Sequence, residues 1–312
     1  MNPEAGPVFH EPVLTSELLS ALEPVLAGPD PLVVDATYGG GGHSRALLAA
    51  GARVVAFDRD PEAAPAQPVP ALTFVDADFV EIGTQLDRRG IRSMDGAIFD
   101  LGVSSRHLDE PSRGFSYRAS GPLDMRMDPR HGRSAADVLN TEPEAELARI
   151  FRQYGEERFA GRIATVIVAA RPLHTTAELA DIIVHAIPAS ARESDQHPAR
   201  RVFQAVRIAV NGELDALATA LDAAIARLRP GGRVAVIAYH SLEDRIVKRR
   251  FSPPPPPGLA RRRPERALPA PDVRAVFRSP VVPGPVEIAR NPRARSARLR
   301  VAERTGLFAE ET

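Results

Sequence analysis

Residues 33–44, VVDATYGGGGHS, decide the fold of this chain. The apolar run at residues 32–35 predicts a buried strand, four glycines follow, and a helix begins near Ser44. Glycine lets the backbone turn sharply and approach a ligand closely, and the free N–H groups at the start of a helix can bind one. A turn with only a structural role is the alternative, but four consecutive glycines favour a ligand site.

The alternation of strand and helix continues beyond this turn. Strands are predicted at residues 53–58, 72–75, 96–100 and 233–238, and helices at residues 11–26, 83–89 and 211–229. Strands separated by helices form parallel βαβ units, so we predict an α/β protein with a doubly wound sheet. Residues 297–302 (ARLRVA) predict a last strand that closes one edge of the sheet.

This alternation stops after residue 105 and resumes at residue 208. Residues 106–133, which are rich in Arg, Gly, Ser, Asp and Pro, are predicted to form a long loop. Residues 134–207 place apolar side chains every three or four positions, which is the period of a helix. We therefore expect a core of residues 1–105 and 208–312, into which a loop and an all-helical substrate-recognition domain are inserted at 106–207. A proline- and arginine-rich arm at about residues 252–285 is expected to be extended.

Composition limits the classes of function. The chain has no cysteine, which excludes disulfides, a thiolate nucleophile and a cysteine-based zinc site. The sequence has no HExxH-like spacing of metal ligands, so it does not indicate a metal site. An apolar stretch of membrane-spanning length and a secretory signal pattern are both missing, so we expect a cytoplasmic protein without a membrane partner.

Charge is distributed unevenly along the chain. The formal net charge is zero, but it is −10 before Arg245 and +10 from Arg245 onward. A basic tail on an acidic body suits a polyanionic partner such as RNA. A solvated tail without a partner is the alternative.

The cofactor is indicated by acidic residues at the ends of the predicted strands. Asp58 ends the second strand, where a carboxylate can accept hydrogen bonds from ribose hydroxyls. Asp78 and Phe79 follow the third strand, where an acid and an aromatic ring suit an adenine. The dinucleotide pattern G-x-G-x-x-G/A fails, because its last position falls on Ser44 or Arg45. The pattern instead favours S-adenosylmethionine; His43 either contacts this cofactor or has only a packing or capping role.

The acceptor site is indicated by the ends of the fourth and fifth strands. Asp100 ends the fourth strand at the edge where ligands bind in open α/β sheets, although a helix cap is the alternative. The D/N/S-P-P-Y/F/W motif of many amino-group methyltransferases is missing there. Residues 239–245 (YHSLEDR) follow the fifth strand and combine several hydrogen-bonding groups. Their alternative role is a capped helix start, with Ser241 as N-cap and Asp244 as its partner.

Several longer stretches carry a resemblance to a known family. They include DATYGGGGHSRALL, GPLDMRMDP, FQAVRIAVNGEL and HSLEDRIVK, and the resemblance extends from about His10 to Arg304. The chain resembles the bacterial 16S rRNA (cytosine-N4)-methyltransferases, the small-subunit rRNA methyltransferase H family. The resemblance implies a Rossmann-like, S-adenosylmethionine-dependent methyltransferase sheet with an inserted all-helical domain. It also implies cofactor contacts by Gly40, Gly41, Gly42, His43, Asp58, Phe79, Asp100 and His107. Position 107 departs from the family, which has glutamine there.

The expected reaction transfers a methyl group to the exocyclic N4 of a cytidine in 16S rRNA of the small ribosomal subunit. The base must leave its stack, and transfer is expected to be direct, since the chain has no cysteine for a covalent intermediate. The catalytic candidates are Asp100, His240, Ser241 and Glu243. The candidates for RNA contacts are Arg113, Phe115, Tyr117, Arg126, Arg245 and Lys248.

Alternatives stay open at this point. Phe115 and Tyr117 are as well suited to anchoring the loop on the core as to stacking on the base. The fold also serves nicotinamide-dependent oxidoreductases, small-molecule methyltransferases and RNA-binding assembly factors without catalysis. A homodimer stays open as well.

Overall fold

The computed structural model describes residues 12–192, 197–252 and 272–306. The chain divides into two compact units. Residues 1–102 and 214–312 form the first, here called the sheet unit, and residues 103–213 form the second, here called the helical unit. The predicted second boundary, after residue 207, falls within a helix that continues to Asn211.

The sheet unit contains a seven-stranded sheet. Its strands are β1 (Leu32–Asp35), β2 (Arg53–Asp58), β3 (Leu72–Asp76), β4 (Met94–Asp100), β5 (Leu228–Ala238), β6 (Val273–Ala275) and β7 (Arg298–Arg304). Their order is β3-β2-β1-β4-β5-β7-β6. Strands β1 to β5 are parallel, and β7 pairs antiparallel with both β5 and β6. The predicted α/β class with a Rossmann-like parallel sheet is confirmed.

Twelve α-helices complete the described fold. Those of the sheet unit are α1 (Thr15–Leu26), α2 (Gly42–Ala49), α3 (Ile82–Arg88), α10 (Glu213–Arg227), α11 (Ser241–Phe251) and α12 (Pro285–Arg290). Those of the helical unit are α4 (Ser105–Asp109), α5 (Ala135–Thr141), α6 (Glu144–Gly155), α7 (Ala160–Ala169), α8 (Thr176–Ala186) and α9 (Arg200–Asn211). In the described part of the chain, no helix is both long enough and apolar enough to span a membrane.

The sheet is buried on both faces, because its strands are almost entirely apolar. On one face, α3, α10 and α11 cover side chains such as Phe57 and Phe99. On the other face, α1 and α2 cover side chains such as Val33 and Ile98. Only the ends of the strands remain for polar side chains, so the chemistry of this unit must lie there.

The helical unit has a separate hydrophobic core. Amphipathic helices bury side chains such as Leu147, Phe151, Ile163 and Val206 in it. The polar loop after residue 105 is attached to this core through Phe115, Leu123 and Met125. This unit therefore has a core of its own.

Three expectations about secondary structure need correction. The last strand, β7, does not lie at an edge, because β6 pairs with its outer side. The predicted arm contains β6, which has only three residues and depends on β7 for its hydrogen bonds; residues 253–271 of the arm lie outside the described residues. The predicted loop at 106–133 begins inside the short helix α4, which Ser104 caps.

Candidate cofactor site and active site

The turn between β1 and α2 is held by a buried carboxylate. Asp35 ends β1 and is 1% exposed. Its Oδ2 accepts a 2.6 Å hydrogen bond from the Ser44 hydroxyl, and its Oδ1 accepts one of 3.1 Å from the Thr37 N–H. Burial raises the pKa of Asp35 from 3.8 to about 6, against the opposing effects of Ser44, His43 and Thr37. The carboxylate therefore ties the first turn of α2 to the end of the strand.

Gly41 makes the turn possible. Its φ of +71° lies in the left-handed region, and it is the N-cap of α2. A Cβ at this position would lie 2.6 Å from the Tyr38 hydroxyl oxygen. Any larger residue would therefore both strain the backbone and displace Tyr38. Gly42 follows as the first residue of α2, where a Cβ would lie 2.8 Å from Pro12.

Asp58 lies next to the glycine turn. Its Oδ2 accepts a 2.7 Å hydrogen bond from the Gly39 N–H, and its Oδ1 accepts one of 2.9 Å from the Asp60 N–H. The carboxylate is partly exposed at the end of β2. Two backbone donors thus fix the carboxylate where ribose hydroxyls bind in proteins of this topology.

Asp78 and Phe79 follow β3. The Asp78 carboxylate accepts a 2.9 Å hydrogen bond from the Val80 N–H and forms a 2.9 Å ion pair with Arg59. Phe79 is partly buried and contacts the ring of Phe99 edge to face, with centroids 6.0 Å apart. These contacts fix the Phe79 ring near the carboxyl edge of the sheet.

Asp100, at the end of β4, is the centre of a polar cluster. The Tyr239 hydroxyl donates a 2.8 Å hydrogen bond to Asp100 Oδ1. His43 Nε2 lies 3.3 Å from Asp100 Oδ2, at an ion-pair distance but outside hydrogen-bond geometry. The Asp100 backbone N lies 2.6 Å from Thr37 Oγ1. Tyr239 and His43 thus flank the Asp100 carboxylate, whose side chain is 25% exposed, while Thr37 contacts its backbone.

His43 is 5% exposed, and neither of its ring nitrogens has a hydrogen-bond partner among the described residues. Burial opposes its protonation, but the carboxylates of Asp100 and Asp35 outweigh burial and raise its pKa. Buried imidazole nitrogens normally have partners. The ring is thus well placed to contact a ligand at the glycine turn.

The end of β5 is a helix cap in a different register from the expected one. His240 is the N-cap of α11, because its backbone is extended and the helix begins at Ser241. The Glu243 Oε2 accepts hydrogen bonds from the N–H groups of Tyr239 and His240, at 2.8 and 3.1 Å. The expected pair of Ser241 and Asp244 is wrong, since Asp244 instead forms ion pairs with Arg298 and Arg300 of β7.

The catalytic candidates after β5 differ in their exposure to solvent. Glu243 is 2% exposed, and its other oxygen, Oε1, lies 3.1 Å from His240 Nε2. These contacts favour a role for Glu243 in holding the turn. Ser241 is exposed at the start of α11, and His240 is partly exposed. Arg245 and Lys248, the candidates for RNA contacts on the same helix, are exposed as well.

The remaining candidates belong to the helical unit. His107 is 5% exposed and stacks on Phe115, which is 6% exposed. This burial favours the alternative that Phe115 anchors the loop. Tyr117 is partly exposed and stacks on His197 with ring centroids 4.6 Å apart. The two arginines have partners nearby: Arg113 donates to the carbonyl oxygens of Arg126 and Met127, and Arg126 pairs with Asp124 through two hydrogen bonds.

The roles of Tyr239, Thr37 and Ser44 were not predicted from the sequence. Tyr239 lies in the polar stretch after β5 but carried no assignment. Its role depends on β4 and β5 being neighbours, where Asp100 pairs with Ile237. The one signal in the sequence that could have indicated this contact with Asp100 was a tyrosine two residues after Ile237.

Comparison with known proteins identifies the family. Residues 7–305 match the model of the family described as the MraW methylase family. The chain belongs to this family. Three curated relatives named ribosomal RNA small subunit methyltransferase H are about half identical to it. The protein of Thermobifida fusca is 49% identical and the match covers 95% of this chain and 93% of the relative. The protein of Methylibium petroleiphilum is 48% identical, and the match covers 98% of each chain. The protein of Aromatoleum aromaticum is 50% identical, and the match covers 95% of this chain and 97% of the relative.

This MraW methylase is a methyltransferase, and its cofactor is S-adenosylmethionine. The described residues of the sheet unit fit that cofactor. The buried ring of His43 has no hydrogen-bond partner among the described residues, and it lies directly after the glycine turn. The carboxylate of Asp58 suits ribose hydroxyls, and that of Asp100 suits a ligand with positive charge. No group of three or more potential metal ligands is present in the described ranges.

Proposed function

We propose that this MraW methylase transfers a methyl group from S-adenosylmethionine to the exocyclic N4 of a cytidine in 16S rRNA of the small ribosomal subunit. The observation that carries the proposal is the fixed Asp100 carboxylate beside the glycine turn, partly exposed at the end of β4. Small-subunit ribosomal RNA appears in the names of the curated relatives. The proposal places the enzyme in the cytoplasm, where its substrate is assembled.

The cofactor would be held by residues of the sheet unit. Gly40, Gly41 and Gly42 would line it, His43 would contact it, and Asp58 and Phe79 would bind its ribose and adenine. S-adenosylmethionine supplies an electrophilic methyl group on a positively charged sulfur. His107 is also proposed to contact the cofactor, and its Nδ1 accepts a hydrogen bond from the Ser104 N–H.

Asp100 would activate the amine. The lone pair of the exocyclic N4 is delocalised into the cytosine ring, so this nitrogen is a poor nucleophile. A carboxylate that accepts a hydrogen bond from N4 favours the pyramidal geometry of attack and receives the proton that the nitrogen loses. Tyr239 and Thr37 hold Asp100 in place before the substrate binds, so its positioning costs little during the reaction.

The substrate base would leave its stack and react directly. Exocyclic groups of a stacked base cannot reach a site at the end of a sheet, so the base must be flipped. The chain has no cysteine, so the covalent route of many cytosine methyltransferases is excluded. His240 and Ser241 would orient the base from the end of β5, and Glu243 would hold the turn that carries them. Arg245 and Lys248 on α11 would bind RNA phosphates.

The test is methylation of small subunits that lack the modification. The chain is incubated with radiolabelled S-adenosylmethionine and these subunits, the RNA is digested, and the labelled nucleoside is identified. Label in N4-methylcytidine at one position is expected, and Asp100→Asn should reduce the single-turnover rate about 100-fold or more while the subunits still bind. Label only in small molecules would contradict the assignment of RNA as the substrate. Absence of label with intact cofactor binding would favour an assembly factor.

A further inference from the structure

The helical unit contains a shallow, open surface cleft. The residues that line it come from the segment before α7, the segment after α8 and the start of α9. Its polar lining residues are Glu157, Arg158, Arg192, His197, Arg200 and Arg201. None of the residues proposed above for cofactor, catalysis or RNA lines this cleft.

Positive charge dominates the cleft. Among its described lining residues the only carboxylate is that of Glu157, which is 6% exposed and accepts a 2.8 Å hydrogen bond from the Phe159 N–H. Arg158 and Arg200 are exposed, and neither forms an ion pair with another described residue. Arg192 donates to the carbonyl oxygens of Val184 and Ile187, which fixes its guanidinium and leaves its charge uncompensated by these partners.

Five other arginines of the helical unit have carboxylate partners. Arg126, Arg130, Arg133, Arg149 and Arg207 pair with Asp124, Asp128, Glu142, Glu146 and Glu213, respectively. In the cleft, the guanidinium groups of Arg158, Arg192 and Arg200 have no such carboxylate partner among the described residues. The N-terminus of α9, which has no side-chain cap, adds partial positive charge at the same place.

An aromatic stack stands beside these arginines. The exposed ring of His197 lies on Tyr117 with centroids 4.6 Å apart and planes 17° apart. Tyr117 contacts Phe203 of α9 edge to face, so the stack is connected to the helical core. His197 Nδ1 accepts a hydrogen bond from the Ala199 N–H, which fixes the plane of the ring. A fixed, exposed aromatic ring next to arginines is typical of sites for unpaired RNA bases.

We propose that this cleft is an RNA-binding site of the helical unit. The guanidinium groups of Arg158, Arg192 and Arg200 bind backbone phosphates, and an unpaired base stacks on His197. The inference rests on the proposed function, because it assigns the cleft to the same RNA substrate. It gives the helical unit a direct part in substrate recognition.

Two variants test the two halves of the site. Arg158→Gln combined with Arg200→Gln should weaken binding to protein-free 16S rRNA about tenfold and lower the dependence of log Kd on log salt by about one to two. His197→Ala should weaken binding about five- to tenfold, and His197→Phe should restore it, because a phenyl ring still stacks. The KM for RNA should rise in both variants while kcat changes less than about threefold.

The matched control is Arg149→Gln combined with Arg152→Gln on α6, which removes the same charge from exposed positions of the same unit outside the cleft. Its RNA affinity should change less than about threefold. Thermal unfolding and the Kd for S-adenosylmethionine verify that every variant is folded. Equal losses in cleft and control variants, or none in either, would overturn the RNA site.

The outcomes separate this inference from the proposed function. If the wild-type chain methylates small subunits and the cleft variants bind RNA normally, only the cleft assignment fails. If the wild-type chain does not act on RNA, the proposed function fails and the cleft assignment fails with it. A loss with intact subunits but none with protein-free 16S rRNA would assign the cleft to a protein partner and overturn the RNA assignment.

Discussion

The hydroxyl of Tyr239 donates a 2.8 Å hydrogen bond to Oδ1 of Asp100, and this bond joins the ends of β5 and β4. The second carboxylate oxygen faces His43 at 3.3 Å. Burial and then the nearby Asp100 carboxylate raise the pKa of Tyr239 well above 10, so the hydroxyl remains a donor over any practical assay range. The carboxylate of the proposed active site is therefore oriented before any ligand binds.

Tyr239→Phe removes this orientation without removing the ring. A hydrogen bond to a charged group contributes about 1.5–3 kcal/mol, so the single-turnover rate with saturating cofactor should fall roughly 10- to 100-fold. The Kd for S-adenosylmethionine should change less than about threefold. Tyr154→Phe in the helical unit is the control and should keep the wild-type rate. A normal rate for Tyr239→Phe would show that Asp100 needs no positioning by this hydroxyl.

Asp35→Asn should change how stability depends on pH. Because the pKa of Asp35 is raised to about 6, the folded state binds more protons than the unfolded state between about pH 4 and 6. The contribution of Asp35 to the free energy of unfolding therefore falls as pH rises through this window, by on the order of 3 kcal/mol. Asparagine keeps an acceptor for Ser44 but does not titrate.

Urea unfolding of both chains at pH 4.5 and 6.5 measures this difference. The wild-type chain should lose stability relative to Asp35→Asn as pH rises. Carboxylates with lowered pKa values, such as Asp244, contribute equally to both chains and cancel in the comparison. A difference that does not vary with pH would mean that Asp35 titrates normally in the folded state.

Gly41→Ala should disrupt the cofactor turn. The left-handed backbone conformation of residue 41 destabilises an alanine by about 1–2 kcal/mol, and the added Cβ must also displace Tyr38. We expect the Kd for S-adenosylmethionine to rise at least about tenfold, as measured by calorimetry. Gly51→Ala is the matched control, since Gly51 has a φ of +87° but no atom within 4 Å of a Cβ. It should lose similar backbone stability and bind the cofactor normally; equal weakening in both would assign the effect to strain alone.

Glu243→Ala should affect both stability and catalysis. The loss of a helix cap costs about 0.5–2 kcal/mol, and the N–H groups of Tyr239 and His240 lose their acceptor. Because Tyr239 positions Asp100, the methyl-transfer rate should fall as well. Glu178→Ala removes the equivalent cap of α8, where Glu178 accepts from His174 and Thr175. It should lower stability in urea unfolding and leave single-turnover chemistry intact; a normal rate in Glu243→Ala would contradict the link.

Much of the fold could be predicted because the parallel strands are buried on both faces. The runs at β1 and β2 are continuously apolar and end in aspartates, so their bounds follow from composition. Strand β6 has three residues in a proline-rich region and is specified by its pairing with distant β7. The position of β7 inside the sheet was not predictable for the same reason, since strand order depends on contacts between remote segments.

The strand-end acids could be located from the sequence, but their partners could not. Asp58 and Asp100 are visible as the last residues of apolar runs. Asp100 precedes the inserted helical unit in the sequence and Tyr239 follows it, so their contact could not be predicted from local sequence. The helix cap was placed one residue late because Ser241 is a common N-cap type, whereas the extended backbone of His240 decides the register.

The pairing of β4 with β5 has a consequence for biosynthesis. These strands pair from Gly96 and Arg233 to Asp100 and Ile237, although more than 130 residues separate them along the chain. On the ribosome, β4 must wait with an unpaired edge while the whole helical unit is synthesised, and such edges promote aggregation. The helical unit is continuous in sequence, so we expect it to fold first. Closure of the sheet, and with it assembly of the Tyr239–Asp100 pair, is then a late step that a nascent chain reaches only after β5 has emerged.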